Sequence, residues 1–176
     1  YMWDTHYQKT IIYYIFVPYI LYLFFMVELC SGTIGDFLTE VNLKQLNSEY
    51  VMDSKIVFEA RVYTSCAIAG FMMFGKLELS SLIEDRMDYF SDAWNCLDFT
   101  SLVLNFSFLF MATICQVFEI WAISKEDIRL IGAYACFFMW CKMFYWMRLF
   151  ESTAYYVTLI VQTISDCMTF MLMILK

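Results

Sequence analysis

This sequence contains little of what soluble enzymes depend on. It has one histidine, one proline and five glycines, and only 16% of its 176 residues are charged. The single histidine, His6, precedes the first apolar segment, which excludes a bis-histidine haem or a histidine-rich metal site within the chain. It also cannot be matched to a serine or cysteine in a triad-like setting, and the chain has no glycine-rich phosphate loop. We therefore do not expect an enzyme.

Basic residues are also scarce. Lysine and arginine number 11 against 18 acidic residues, which gives a net charge of −7. Binding to nucleic acid depends on neutralising phosphates with basic side chains, so we expect no nucleic-acid partner. The acidic residues collect in two loop regions and indicate a solvated rim. The seven cysteines lack metal-site spacing and lie within or beside apolar segments, where thiols behave as small hydrophobic groups.

Apolar residues, by contrast, are abundant. They make up 62% of the chain, with 20% aromatics, which is more apolar surface than a soluble domain of this length could bury. A membrane-spanning helix needs about 20 mostly apolar residues. Four such spans are predicted, at about 10–30, 57–77, 93–118 and 128–150, and a fifth is cut off near its far end. The chain is predicted to be an all-α membrane protein with the lipid bilayer as a partner.

The segments between these spans have different characters. Residues 1–9 are predicted to lie along the membrane surface, and 31–56 to form a polar outer loop with one short helix. The second helix is expected to continue beyond the membrane and to turn at Tyr89 and Phe90. Residues 151–158 are amphipathic, which predicts an interfacial linker before the fifth span at 159–176.

A polar pair stands out at the start of the third span. Asn95 and Asp98 are three residues apart in an otherwise apolar helix, so their side chains share one face. Glu78, at the end of the second helix, could meet them. Carboxylate and amide oxygens are ligands that Ca²⁺ prefers. Ser81, one turn after Glu78, would add a weak fourth ligand.

An alternative interpretation needs no metal. Asn95 would cap the third span, and Asp98 would pair with Lys142 or Arg148 from the fourth. A carboxylate within a membrane helix costs about 2.5 kcal/mol or more unless it is paired or hydrated, so both interpretations require a partner for Asp98.

The fourth span lacks the charge spacing of a voltage sensor. Such a sensor carries arginines at every third position so that several charges cross the field. Here Arg129, Lys142 and Arg148 are 13 and 6 residues apart. We expect voltage sensing to be weak or absent, with Arg148 reaching the interface and Lys142 paired within the bundle.

Three stretches together resemble the transient receptor potential (TRP) family of cation channels. The stretch YFSDAWNCLDF at 89–99 resembles the entry to the third membrane helix of that family. MWCKMFYWMRLFESTA at 139–154 resembles the fourth helix and its linker, and ISDCMTFM at 164–171 resembles the start of the pore-lining fifth helix. Within the family, the vanilloid and ankyrin branches and their protist relatives are the most similar.

The resemblance implies a voltage-sensor-like four-helix bundle, a linker and the start of a pore helix. It also implies a tetrameric, calcium-permeable channel in the plasma or ciliary membrane, in which Lys142, Arg148 and Asp166 belong to the gating and linker region. Several branches hold a regulatory, cytosol-facing Ca²⁺ at positions that match Glu78, Ser81, Asn95 and Asp98 by spacing. Ser81 departs from the family pattern, which has glutamine or a similar stronger ligand there. A pore-less accessory or scaffold subunit is the alternative function.

Overall fold

A computed structural model describes residues 12–119, 124–147 and 151–174, and this part of the chain is helical with no strands. Its α-helices are α1 (Val17–Glu28), α2 (Ile34–Leu46), α3 (Ser54–Asp85), α4 (Ala93–Phe118), α5 (Lys125–Met147) and α6 (Glu151–Ile174). π-Helical turns at Ile12–Phe16 and Leu29–Thr33 precede and follow α1, and a 3₁₀ turn at Arg86–Ser91 connects α3 to α4. The predicted all-α class is confirmed for the described residues. The predicted surface segment 1–9 lies outside them.

Three helical stretches of the described chain are long and apolar enough to cross a membrane. They are Tyr13–Leu46, Ser54–Glu84 and Trp94–Phe118. This finding is consistent with the predicted integral membrane protein. The crossing of the bilayer by α5 and by α6 stays a prediction.

Four helices pack around a common core. Helix α1 packs along α3 and α5, and α4 packs along the same two helices, so α1, α3, α4 and α5 form a closed ring. Its centre contains large side chains such as Tyr19, Phe108 and Met139, all of them buried. Fully buried alanines, Ala112 on α4 and Ala135 on α5 among them, let the helices approach closely. Helix α6 packs against α5.

The segment after α1 differs from the predicted loop. Instead of leaving the helix after about residue 30, the chain passes through the π-helical turn and continues as α2 to Leu46. The reason is an apolar stripe at helical spacing, Ile34, Phe37, Leu38 and Val41, whose members are all buried. The burial of these four residues against the core stabilises a helix in a segment for which the polar residues predicted a loop. The loop that remains spans only residues 47–53.

That remaining loop is fastened by one buried carboxylate. Glu40 is 8% exposed and accepts hydrogen bonds from the Tyr50 hydroxyl at 3.1 Å and from the Asp53 backbone N–H at 2.9 Å. The hydrogen bond to Glu40 raises the pKa of Tyr50, so the phenol stays a donor at neutral pH. Glu40 therefore holds the loop closed from a buried position, whereas the sequence predicted that the acidic residues of this region form a solvated rim.

Replacing Glu40 with alanine should open this loop without unfolding the bundle. The change removes the acceptor of both hydrogen bonds and leaves the loop with few contacts that hold it closed. We expect chymotrypsin to cleave after Tyr50 several-fold faster than in the parent protein. Glu49→Ala, which changes an exposed side chain of the same loop, is the matched control and should leave the rate unchanged. Equal cleavage rates in all three proteins would contradict this role of Glu40.

The ends of α3 and α6 also bear on the predictions. Helix α3 runs to Asp85 and the chain then turns through Arg86–Ser91, which agrees with the predicted turn at Tyr89 and Phe90. Where α3 leaves the membrane stays a prediction. The linker and the fifth span, by contrast, are one continuous helix from Glu151 to Ile174. No break occurs near residue 158 because neither glycine nor proline interrupts this segment, and its division into an interfacial linker and a fifth span stays a prediction.

Candidate functional site

Three charged side chains from three helices converge inside the bundle. Glu78 lies near the end of α3, Asp98 near the start of α4, and Lys142 near the end of α5. The Lys142 ammonium forms an ion pair with Glu78 Oε1 and lies 3.1 Å from Asp98 Oδ1. Their side chains are only 19%, 14% and 6% exposed for Glu78, Asp98 and Lys142 respectively. We call these three residues the charge cluster.

The 3₁₀ turn between α3 and α4 completes the surroundings of Glu78. The Tyr89 hydroxyl donates to Glu78 Oε2 at 3.3 Å, so the carboxylate has one partner on each oxygen. Tyr89 is 2% exposed, and its burial, followed by the negative charge of Glu78, raises its pKa, which keeps the phenol a donor. Edge-to-face contacts of Phe90 with Tyr89 and Phe99 fix the turn against α4.

The cap of α4 comes from a different residue than the alternative interpretation predicted. Asp92 is the capping residue, and its Oδ1 accepts a hydrogen bond from the Trp94 backbone N–H at 3.0 Å. The prediction that Asn95 caps this helix is therefore wrong. The other half of that interpretation, an ion pair between Asp98 and Lys142, is confirmed.

The four predicted calcium ligands are only partly brought together. Glu78 and Asp98 meet at Lys142, and Asn95 is half-buried one turn before Asp98. Its side chain makes no hydrogen bond to another described residue. Ser81 is exposed, and its hydroxyl donates to the Leu77 carbonyl at 3.3 Å on its own helix. It does not join the cluster.

The predicted gating residues lie in different settings. Lys142 is the most buried member of the charge cluster, whereas Asp166 is exposed on α6. Arg148 lies outside the described residues. Pairing of Lys142 within the bundle, as expected from the sequence, is confirmed.

A small cavity adjoins the cluster. It has a volume of about 20 Å³ and is bordered by all three cluster residues and by Tyr22, Ser101 and Asn105, among others. Asn105 Nδ2 donates to Ser101 Oγ at 3.2 Å, but Asn105 Oδ1 and the Tyr22 hydroxyl are buried without a partner among the described residues. A volume of this size suits about one water molecule, which could donate to such an oxygen. The interior next to the cluster is thus polar and narrow.

The electrostatics of the cluster favour a cation. Two carboxylates and one ammonium leave a net charge of −1 in a largely buried place. The ammonium of Lys142 stands between the carboxylates, where a bound metal would contact both. A Ca²⁺ held by Glu78 and Asp98 would therefore have to displace Lys142. No three histidine, cysteine or acidic side chains in the described part of the chain form a ready metal site.

Some members of this region were missed from the sequence. Ser101 and Asn105 follow the predicted Asp98 at intervals of three and four, so the three residues form a polar stripe on one face of α4 that the sequence does display. Nothing in the sequence indicates that Tyr89 donates a hydrogen bond to Glu78, because an aromatic residue in a turn can equally well serve only in packing. The convergence of both carboxylates on Lys142 depends on the packing of α3 and α4 against α5.

Comparison of the chain with protein-family models, curated proteins and solved structures gives no match. Function is therefore inferred from the residues of this chain and their geometry. The observation with the clearest chemical content is the charge cluster.

Proposed function

We propose that the chain is the sensor-like transmembrane domain of a cation channel. The closed ring of α1, α3, α4 and α5 would be the voltage-sensor-like bundle, and α6 would combine the linker with the start of the pore helix. In particular, we propose a TRP-like, calcium-permeable and tetrameric channel, because three stretches resemble that family and occur in its order. The observation that carries the proposal is the charge cluster, which links α3 and α4 to α5, the helix that precedes α6.

Lys142 acts in this proposal as a built-in cation. It neutralises part of the charge on Glu78 and Asp98 when no other cation is bound. Ca²⁺ from the cytosol would compete for these carboxylates, with Asn95 as a further oxygen ligand. Because Lys142 is buried, its release from both partners would be costly unless α5 moved. Binding of Ca²⁺ would thus be coupled to the position of α5 and, through it, of α6.

The same cluster accounts for weak or absent voltage gating. The charge that a sensor would move across the membrane field is here paired with carboxylates from two other helices. Moving Lys142 alone would break both ion pairs. The field energy per charge is only about 2.3 kcal/mol per 100 mV, against about 3–5 kcal/mol for breaking a buried pair. The cluster would therefore respond to a competing cation more readily than to voltage.

Removing both carboxylates tests the calcium proposal in the full-length channel. In excised membrane patches, the Glu78→Ala and Asp98→Ala double variant should lose the dependence of the current on cytosolic Ca²⁺, because both charged ligands are gone. Glu84→Ala, which changes an exposed carboxylate near the end of α3, is the matched control and should retain it. A double variant with an unchanged calcium response would show that the cluster is only structural.

The same experiment separates the two functions that the sequence left open. Cation current from the protein expressed alone supports a channel subunit. Surface expression without current, restored only by a second subunit with a pore, would support the accessory function. Helix α6 exposes apolar side chains such as Tyr155, Leu159 and Phe170, as either kind of assembly requires.

A further inference from the structure

Away from the charge cluster, one cysteine lies against the helix that carries a second one. Cys30 lies in the π-helical turn Leu29–Thr33, and Cys136 lies in the middle of α5. Cys30 Sγ lies against Gly132 of α5, one helical turn before Cys136. Cys30 Sγ also donates to the Arg129 carbonyl of α5 at 3.6 Å. The Cys30 side chain is thus directed at α5.

A glycine makes this approach possible. A Cβ atom placed at Gly132 would lie 2.7 Å from Cys30 Sγ and 2.7 Å from Phe108 Cε2, so no other residue fits without displacement. Gly132 is one helical turn before Cys136, and helical side chains lean toward the amino terminus. The Cys136 side chain therefore leans back toward the place that the Cys30 sulfur occupies. Close approach of the two backbones is what disulfide geometry requires.

We propose that Cys30 and Cys136 form an oxidation site at which hydrogen peroxide joins the two sulfurs in an intramolecular disulfide. One thiolate attacks a peroxide oxygen, which breaks the O–O bond and yields a sulfenic acid and one water after proton transfer. The second sulfur then attacks the sulfenic sulfur, forms the S–S bond and releases the oxygen as a second water. Two thiols are oxidised by two electrons, and one peroxide is reduced to two waters.

The burial of the two residues indicates the order of these steps. Cys30 is half-buried, whereas Cys136 is 9% exposed. Hydrogen peroxide, which is small and uncharged, reaches the more exposed sulfur first, so Cys30 is the attacking residue and Cys136 the resolving one. The product would connect the π-helical turn to α5, the helix that carries Lys142. Oxidation would thereby hold α5 against the first helical stretch, independently of the proposed calcium response.

Peptide mass spectrometry of the complete protein in lipid nanodiscs tests this proposal. After hydrogen peroxide treatment and alkylation, we expect five of the seven cysteines to be alkylated. We also expect one peptide pair linked through Cys30 and Cys136, two hydrogens lighter than the sum of its parts and separated by dithiothreitol. Cys30→Ser and Cys136→Ser should each abolish the linked pair. Cys115→Ser, at a buried thiol of α4, is the control and should retain it.

A second measurement uses the protein without substitutions, so its result does not depend on whether the variants fold. Phenylarsine oxide bridges two neighbouring thiols, so in the untreated protein it should protect Cys30 and Cys136 together from alkylation. Sulfinic acid at Cys30 without a linked pair, a link through another cysteine, or a disulfide between two copies of the chain would overturn the proposal. So would independent alkylation of the two thiols in the presence of the arsenical.

Discussion

Replacing Lys142 with methionine should lower the free energy of unfolding by about 3–5 kcal/mol. Methionine has a similar length and is apolar, so the space remains filled while the charge is lost. Glu78 and Asp98 would then be two largely buried carboxylates without their shared cation. Both desolvation and mutual repulsion act against the folded state, and removing one partner of a buried pair typically has an effect of this size. Denaturation followed by tryptophan fluorescence measures the change.

Lys55→Met is the matched control for this prediction. Lys55 lies at the start of α3, and its Nζ is 3.8 Å from Glu59 Oε1 in an exposed pair. Such a pair contributes about 0.3–0.5 kcal/mol, so the control should change stability by less than about 1 kcal/mol. If the two methionine variants were equally stable, the carboxylates of the charge cluster would have to be well hydrated. The account of Lys142 as a built-in cation would then be wrong.

The origin of the effect can be separated from a packing defect. Adding Glu78→Gln and Asp98→Asn to Lys142→Met removes all three charges at nearly constant volume and should recover most of the lost stability. Adding Ca²⁺ to the single Lys142→Met variant should also stabilise it, and by more than it stabilises the parent protein, because the competing ammonium is gone. A packing defect would be relieved by neither treatment.

Composition and apolar periodicity predict the helical membrane fold, since long apolar segments in a bilayer have few other ways to satisfy their backbone. They also predict that Asp98 needs a partner and name Lys142 as one candidate. Average polarity misleads at Ile34–Leu46, where four buried apolar residues on one face decide the structure. Here the spacing of apolar residues is more informative than their fraction.

The candidate site depends more strongly on tertiary packing. Glu78, Asp98 and Lys142 are on three helices. The sequence names Glu78 and Lys142 as possible neighbours of Asp98, but only the packing of the helices brings all three together. Ser81 shows the limit of transferring a site by spacing, because its hydroxyl is hydrogen-bonded to Leu77 on its own helix. The pairing of Cys30 with Cys136 likewise depends on Gly132, whose importance appears only when α5 is placed against the π-helical turn.

Glycine at position 70 should be nearly irreplaceable, which makes Gly70→Ala the second large effect. A Cβ atom there would lie 2.5 Å from Tyr22 Cδ2 and 2.9 Å from Tyr22 Cβ. Tyr22 has little room to move, since the residue is only 4% exposed and its ring stacks on Phe74 with centroids 5.9 Å apart. Helix α1 must therefore shift away from α3, at an expected cost of about 1–3 kcal/mol.

The helical preference of alanine provides an internal standard for this second prediction. Alanine is favoured over glycine within a helix by about 1 kcal/mol, so a loss of stability at Gly70 would appear against that gain. At Gly32 the nearest atom to an added Cβ is Asp36 Oδ2 at 3.9 Å, an ordinary contact. Gly32→Ala should therefore be neutral or stabilising in the same denaturation experiment.

If Gly70→Ala were as stable as Gly32→Ala, α1 and α3 could not pack as closely at Tyr22 as the structure has them. The ring of four helices that positions Lys142 between two carboxylates would then need revision at its first interface.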